Sequence, residues 1–307
     1  MLSNFFSKSK PIHYLILGFS LLFIFAAAKF SVLEPNLSLL MVSKQLGLFL
    51  VCLGSVFIFD FFVTKNKLTQ KNSFKMLLFV LFIAVLPETI LNTRILLANF
   101  FLILALRRML SLRTHKMVKK KLFDAAFWIA VATLFYFWCI LFFILLFTAL
   151  LVYSFTDIKN YIIPLTGIAT VAILAVSYQL VLGYDLSAYY ESQTDFSFDF
   201  TALNSKRLII GATLLFSFGL WSLFYYLRNI KSKTKSYRPT FKLIVVTALL
   251  AVVIIVLAPS KDGSEFIFLF APLAIIMTNY LELISEKWFK ETFLWILVLT
   301  PIFISLL

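Results

Sequence analysis

RRMLSLRTHKMVKKK, residues 107–121, decides how this chain is threaded. It carries seven Lys or Arg and no acid, with long apolar runs on both sides. The chain around it has 307 residues, 62% of them hydrophobic and 37 of them Phe. Mean hydropathy is +0.99. A soluble domain is nearer half apolar, and no polar stretch here is long enough to form one. The composition is that of an all-α, polytopic transmembrane helical bundle in a single domain.

The apolar runs set the helices. The first covers 14–33 and ends at Glu34-Pro35-Asn36. Its length fits a retained helix better than a cleaved signal, although Ala26-Ala27-Ala28 resembles a cleavage site. Runs follow at 41–63, 76–90 and 95–106, with Pro87-Glu88 breaking the third. Residues 122–153 form a run of 32 without a strong break. As one helix this run would be about 48 Å long, against a hydrocarbon core of about 30 Å. Further runs cover 161–182, 208–227, 243–257, 266–283 and 293–307.

Charge decides whether 76–106 and 122–153 are single helices or hairpins. Lys65–Lys75 holds four lysines and Arg228–Lys242 six positive residues. Were 76–106 one helix, the basic stretches on either side of it would face opposite sides, against the cytoplasmic bias of Lys and Arg. A hairpin at Pro87–Arg94 removes the conflict, and a second near Tyr136-Phe137-Trp138 does the same for Arg228–Lys242. Fusing both pairs would instead leave Arg107–Lys121 alone outside. The expectation is about 11 helices (range 9–11), with the N-terminus cytoplasmic and the C-terminus outside. Twenty-two of the 28 Lys and Arg then share the cytoplasmic side. The middle helices come out short, at about 15–17 residues, near the lower limit for spanning.

Several function classes are excluded or unsupported. The net charge of +14 sits in short loops beside apolar runs, where it sets orientation and meets anionic lipid. No soluble fold is present to present a groove reader, so nucleic acid is not an expected partner. Cys52 and Cys139 lie inside apolar runs, and His13 and His115 have no neighbouring ligands, so no metal and no other cofactor is expected. The nucleotide, hydrolase and zinc-protease signatures are absent.

Candidate site residues follow from this topology. Asp60 would reach the interface beside Lys65 and Lys67, Asp124 would sit at a helix N-terminus, and Lys29 would snorkel. Glu34, Glu88, Arg94, Asp185, Arg207, Lys261, Asp262 and Glu265 map to outer turns. Glu88 and Asp185 are the candidate catalytic carboxylates. Arg94, Arg207 and Lys261 are candidate phosphate or substrate contacts, and Tyr184 a candidate stacking residue. Tyr136, Trp138, Tyr153, Tyr161, Tyr189, Tyr190 and Trp288 read as interface anchors. Gly211 and Gly219 share a helix face and imply close packing.

The segments MLSNFFSKSKPIHYLIL, LPETILNTRILLANFFLILALRRMLSL, KLFDAAFWIAVATLFYF, IIPLTGI and FAPLAI resemble an uncharacterised family of multipass inner-membrane proteins from Bacteroidota. The resemblance covers most of the chain and implies no reaction. A looser likeness links the chain to membrane glycosyltransferases and glycan polymerases that use polyprenyl-phosphate sugars. Its carriers are the short middle helices, the basic turn before K-x-F-D-A-A and the outer charges. It implies membrane lipids and a polyprenyl-phosphate-linked glycan as partners. The chain departs from it at Glu34–Leu40, where a single acid stands in place of a long acidic loop, which leaves Glu88 as the best substitute. Two expectations stand side by side. One is a non-enzymatic envelope protein: a transporter, flippase or scaffold. The other is an enzyme at the outer face with a groove lined by Glu88, Arg94 and Asp185.

Overall fold

A computed structural model describes residues 1–30, 38–183 and 194–305. Glu34, Tyr184, Asp185, Tyr189, Tyr190 and Glu191 lie outside the described residues. Within them are twelve α-helices: α1 (Leu2–Phe6), α2 (Pro11–Phe30), α3 (Leu39–Lys65), α4 (Phe74–Val85), α5 (Thr93–Leu110), α6 (Val118–Phe135), α7 (Phe142–Val152), α8 (Lys159–Leu182), α9 (Lys206–Ile230), α10 (Arg238–Leu257), α11 (Ile267–Leu283) and α12 (Lys287–Ser305). The eleven expected helices correspond to α2–α12, and the short α1 is an addition. Among the described residues eight helical stretches are long and apolar enough to cross a membrane, a pattern that suggests a membrane protein.

Both expected hairpins are present. Proline disfavours the helical conformation in the residue before it. Leu86 accordingly leaves the helix at φ −126°, ψ 75°, and Pro87–Ile90 turns as a 3₁₀ segment. The Asn92 side chain then accepts the Arg94 and Ile95 N–H groups and starts α5. The second hairpin breaks without a proline. Tyr136 is extended at φ −149°, ψ 109° and opens the 3₁₀ segment Phe137–Leu141. Its ring is buried and stacks on Phe268 at 5.7 Å. The helices of the two hairpins are less even than expected: α4 has 12 residues, α5 and α6 have 18 each, and α7 has 11.

The core is an inner pair of helices. Ten of the 12 residues of α4 and 15 of the 17 of α11 are buried. The two pack together, with α2, α3, α5, α9, α10 and α12 against one or both of them. Gly211 and Gly219 on α9 make the close approaches expected of them. A Cβ at Gly211 would stand 2.6 Å from Leu86 Cδ2, and one at Gly219 2.8 Å from Leu273 Cδ1. The outer helices turn large apolar side chains outward: Phe19, Phe23, Ile173, Leu180, Leu220 and Phe224 are all exposed. In water such a surface would drive aggregation; lipid would cover it.

The connections gather at two ends. At the basic end, the Arg113 guanidinium stacks 4.0 Å from the Tyr237 ring. Glu282 of α11 accepts the Gln70 N–H at 2.8 Å and Asn72 Nδ2 at 2.6 Å. Glu291 of α12 holds α1 by accepting Leu2 N–H, Ser3 N–H and the Ser3 hydroxyl. At the opposite, turn end, the segments Pro87–Ile90 and Ser264–Phe266 pack on each other.

Several side chains depart from expectation. Asp60 is buried and pairs with Lys75 at 2.9 Å rather than meeting Lys65 and Lys67. The reason is that Lys75 belongs to the first turn of α4 and not to the preceding loop. Asp124 lies beyond the first turn of α6, because that helix starts four residues earlier than expected, and it pairs with Arg108 at 2.8 Å. Lys29 does not snorkel: it is buried and its ammonium donates to Leu91 O at 3.0 Å. Tyr136 and Tyr153 are core residues rather than interface anchors.

Candidate functional site

The turn end brings together the 3₁₀ segments that close the short helices. Pro87–Ile90 follows α4 and carries Glu88. Ser264–Phe266 precedes α11, carries Glu265 and packs on the first segment. Tyr136 joins them through its stacking on Phe268, and the charges of Glu265 and Asp262 bear on its hydroxyl. Gly263 makes the approach possible. It adopts φ +88°, which favours glycine. A Cβ there would stand 2.7 Å from Leu208 Cδ2 and 3.6 Å from Glu88 Cβ.

The polar groups of this cluster are incompletely satisfied. Glu265 is 1% exposed, and its Oε1 has no hydrogen-bond partner. The Tyr136 hydroxyl and Glu88 Oε2 are likewise buried without partners. An unsatisfied buried polar atom costs free energy, so each one calls for an explanation. Asp262 is better tied. It accepts the Ser264 N–H at 2.9 Å and the Ser264 hydroxyl, and Asn92 Nδ2 at 3.3 Å. Glu88 is half-buried. Burial raises its carboxyl above the ordinary glutamate value, its own backbone N–H and the Arg207 charge opposing this. A carboxyl so placed holds its proton more tightly than a free one.

The expected site residues divide. Glu88 joins the cluster, and Arg207, exposed in the first turn of α9, is the cation whose charge reaches it. Arg94 is exposed in the first turn of α5. Lys261 is drawn into the turn. It is 1% exposed, its ammonium donates to Ala258 O at 2.8 Å and to Ser197 O, and it lies 4.8 Å from the Phe200 ring. It pins 196–200 to the turn. Asp185 and Tyr184 lie outside the described residues. Tyr136 was missed as a site residue because a tyrosine at a helix end reads as an anchor. Its place opposite Phe268 depends on the packing of α11, which no local pattern reveals.

Chemically, the cluster offers two carboxyls and a phenol with open hydrogen-bonding capacity. It can hold or pass a proton, or bind a hydroxyl-rich or cationic group. Among the described residues no three His, Cys, Asp or Glu side chains come together in a way that could hold a metal. No curated protein and no solved structure matches the chain. One family model, described as a family of unknown function (DUF6427), matches residues 1–306, and the chain belongs to that family.

Proposed function

We propose that this is a multipass protein of the bacterial cytoplasmic membrane, with its basic end in the cytoplasm and its turn end outside. There it moves or holds a membrane amphiphile of the cell envelope without covalent chemistry, as a transporter or flippase does. The observation that carries the reading is the clustering of cations at one end of the bundle, where Lys65, Arg107, Arg108, Arg113 and Lys121 line one hollow. That distribution supports the cytoplasmic placement of the basic end.

The short helices support the transport side of the proposal. At 12 residues α4 is about 18 Å long, and at 11 residues α7 is about 17 Å. Neither crosses a core of about 30 Å alone. Interrupted helices with ionisable groups at their ends are a recurrent way to build substrate sites in transporters. The burial of Glu265 supports a proton-holding role over attack on a substrate bond. The second reading, an enzyme acting on a lipid-linked sugar, rests on Glu88. That carboxyl is half-exposed with its proton affinity raised, as suits a general acid.

Reconstitution separates the two. Purified protein in liposomes carrying a fluorescent polyprenyl-phosphate sugar should accelerate its exchange between leaflets and leave it chemically intact. Glu265→Gln should slow that exchange. Cleavage or elongation of the probe, abolished by Glu88→Gln, would replace the transport reading with the enzymatic one.

A further inference from the structure

The basic stretch that orients the chain also builds a cavity. Lys65 at the end of α3, Arg107 and Arg108 in the last turn of α5, Arg113 in the turn after it, and Lys121 in the first turn of α6 line one hollow of about 220 Å³. No carboxylate lines it. Asp124, paired with Arg108 at 2.8 Å, is the acid that touches this group of cations.

The other four cations are held by neutral partners. Arg113 stacks on Tyr237 at 4.0 Å, and its Nε is buried with no hydrogen-bond partner. Lys121 donates to Ser111 O at 2.6 Å and to the Thr114 hydroxyl at 2.8 Å, which leaves the third of its ammonium donors open. Arg107 and Lys65 lie 5.1 Å and 5.3 Å from the one Phe61 ring. Rings and carbonyls fix where these charges stand without cancelling them. Lys121 sits within the fields of Arg108 and Lys65, both of its own sign. Like charges around a hollow repel one another unless an anion occupies it.

We propose that this cavity binds a phosphate group carrying more than one negative charge. Guanidinium forks and ammonium groups converging from three helix ends suit several phosphate oxygens at once, and a single carboxylate would leave most donors unused. The phosphate can belong to a lipid headgroup or to a soluble ion. The neighbouring surface favours the lipid. Lys65 also lines a second hollow of about 500 Å³, walled by Tyr14, Phe57, Asp60, Phe61 and Thr64, with the Asp60 charge met by Lys75 at 2.9 Å. Phe57 and Phe61 are exposed there, a place for an acyl or prenyl chain. The proposal goes beyond the functional reading above and does not depend on which side this end faces.

The test uses the full chain in phosphatidylcholine nanodiscs. One arm adds phosphatidic acid to the disc and measures the lipid retained by native mass spectrometry; the other titrates pyrophosphate by calorimetry. Binding in the first arm alone assigns a lipid headgroup, and binding in the second assigns a soluble phosphate. The variant R108Q/R113Q/K121Q should lose about tenfold or more in affinity. The charge-matched variant K116Q/K119Q/K120Q removes exposed cations of the same stretch that do not line the cavity, and should lose no more than about threefold. Should the cavity triple variant fail to fold, Arg113→Lys keeps the charge, removes the open Nε donor, and should weaken binding several-fold. Equal losses in the two triple variants, unchanged affinity in Arg113→Lys, or no binding of either probe by the wild type would overturn the proposal.

Discussion

The Lys75 ammonium meets the Asp60 carboxylate at 2.9 Å where α4 begins beside the last turns of α3, and both side chains are buried. The Tyr14 hydroxyl donates to the same carboxylate at 2.8 Å, and Lys75 also donates to Asn72 O at 3.0 Å. The pair therefore joins α2, α3 and α4. Removing one partner from a buried pair strands the other charge. Asp60→Asn or Lys75→Met should each cost about 3–5 kcal/mol. The double variant Asp60→Leu/Lys75→Met should recover most of that loss. Denaturant unfolding in detergent micelles measures it, and simple addition of the single losses would show that the two residues are not coupled.

Gly263 sets the approach of Leu208 and Glu88 at the turn end. Gly263→Ala forces an L side chain into φ +88° and brings its Cβ to 2.7 Å from Leu208 Cδ2. The backbone part alone should cost about 1–2 kcal/mol. Adding Leu208→Ala should relieve the clash and leave the backbone part. A thermal melt series of the two single variants and the double variant separates these contributions.

Glu88 should make stability fall as pH rises. Its folded carboxyl binds a proton more tightly than the unfolded one, so its contribution is fully present below the unfolded value, taken as 4.5. That contribution is lost as pH rises through the higher folded value. Glu88→Gln keeps a neutral side chain and should flatten this part of the profile, with its largest gain over wild type at the upper end. Apparent melting temperature against pH for the two proteins checks the sign. An advantage of Glu88→Gln over wild type that shrinks as pH rises would show that Arg207 outweighs burial.

Glu291 fastens the N-terminal helix. Its carboxylate accepts Ser3 N–H at 2.9 Å, the Ser3 hydroxyl at 2.6 Å and Leu2 N–H at 3.0 Å. Glu291→Ala should free α1 locally, at a cost of about 1–3 kcal/mol per orphaned group. Limited proteolysis should then cut in residues 1–10 far faster than in wild type, while the melting temperature of the bundle changes little.

The helices were legible in the sequence because their lengths and breaks are local. Pro87 marks one hairpin directly, and the placement of basic stretches required the second, at Tyr136, where no proline helps. The start of α7 was less legible, since the 3₁₀ segment Phe137–Leu141 before it continues its apolar pattern. The site was legible only in part. Glu88 could be placed on a turn, but its neighbours come from residues 136 and 262–265, brought in by tertiary packing. Lys261 read as a substrate contact and Lys29 as a snorkelling side chain because nothing in the sequence shows a carbonyl waiting for them. Arg107–Lys121 read as an orientation signal alone. That Arg113 would lie on Tyr237, and that Lys121 would turn back to Ser111, depends on the fold of the stretch itself.

The placement of the two ends on opposite sides of a membrane is tested most directly by cysteine labelling in spheroplasts. Cys52 and Cys139 are buried and contribute little background. Lys116→Cys and Asn204→Cys introduce exposed thiols at the basic end and the turn end. A membrane-impermeant maleimide should label Asn204→Cys in intact spheroplasts and Lys116→Cys only after permeabilisation. Labelling of Lys116→Cys in intact spheroplasts, or of both positions alike, would contradict the account.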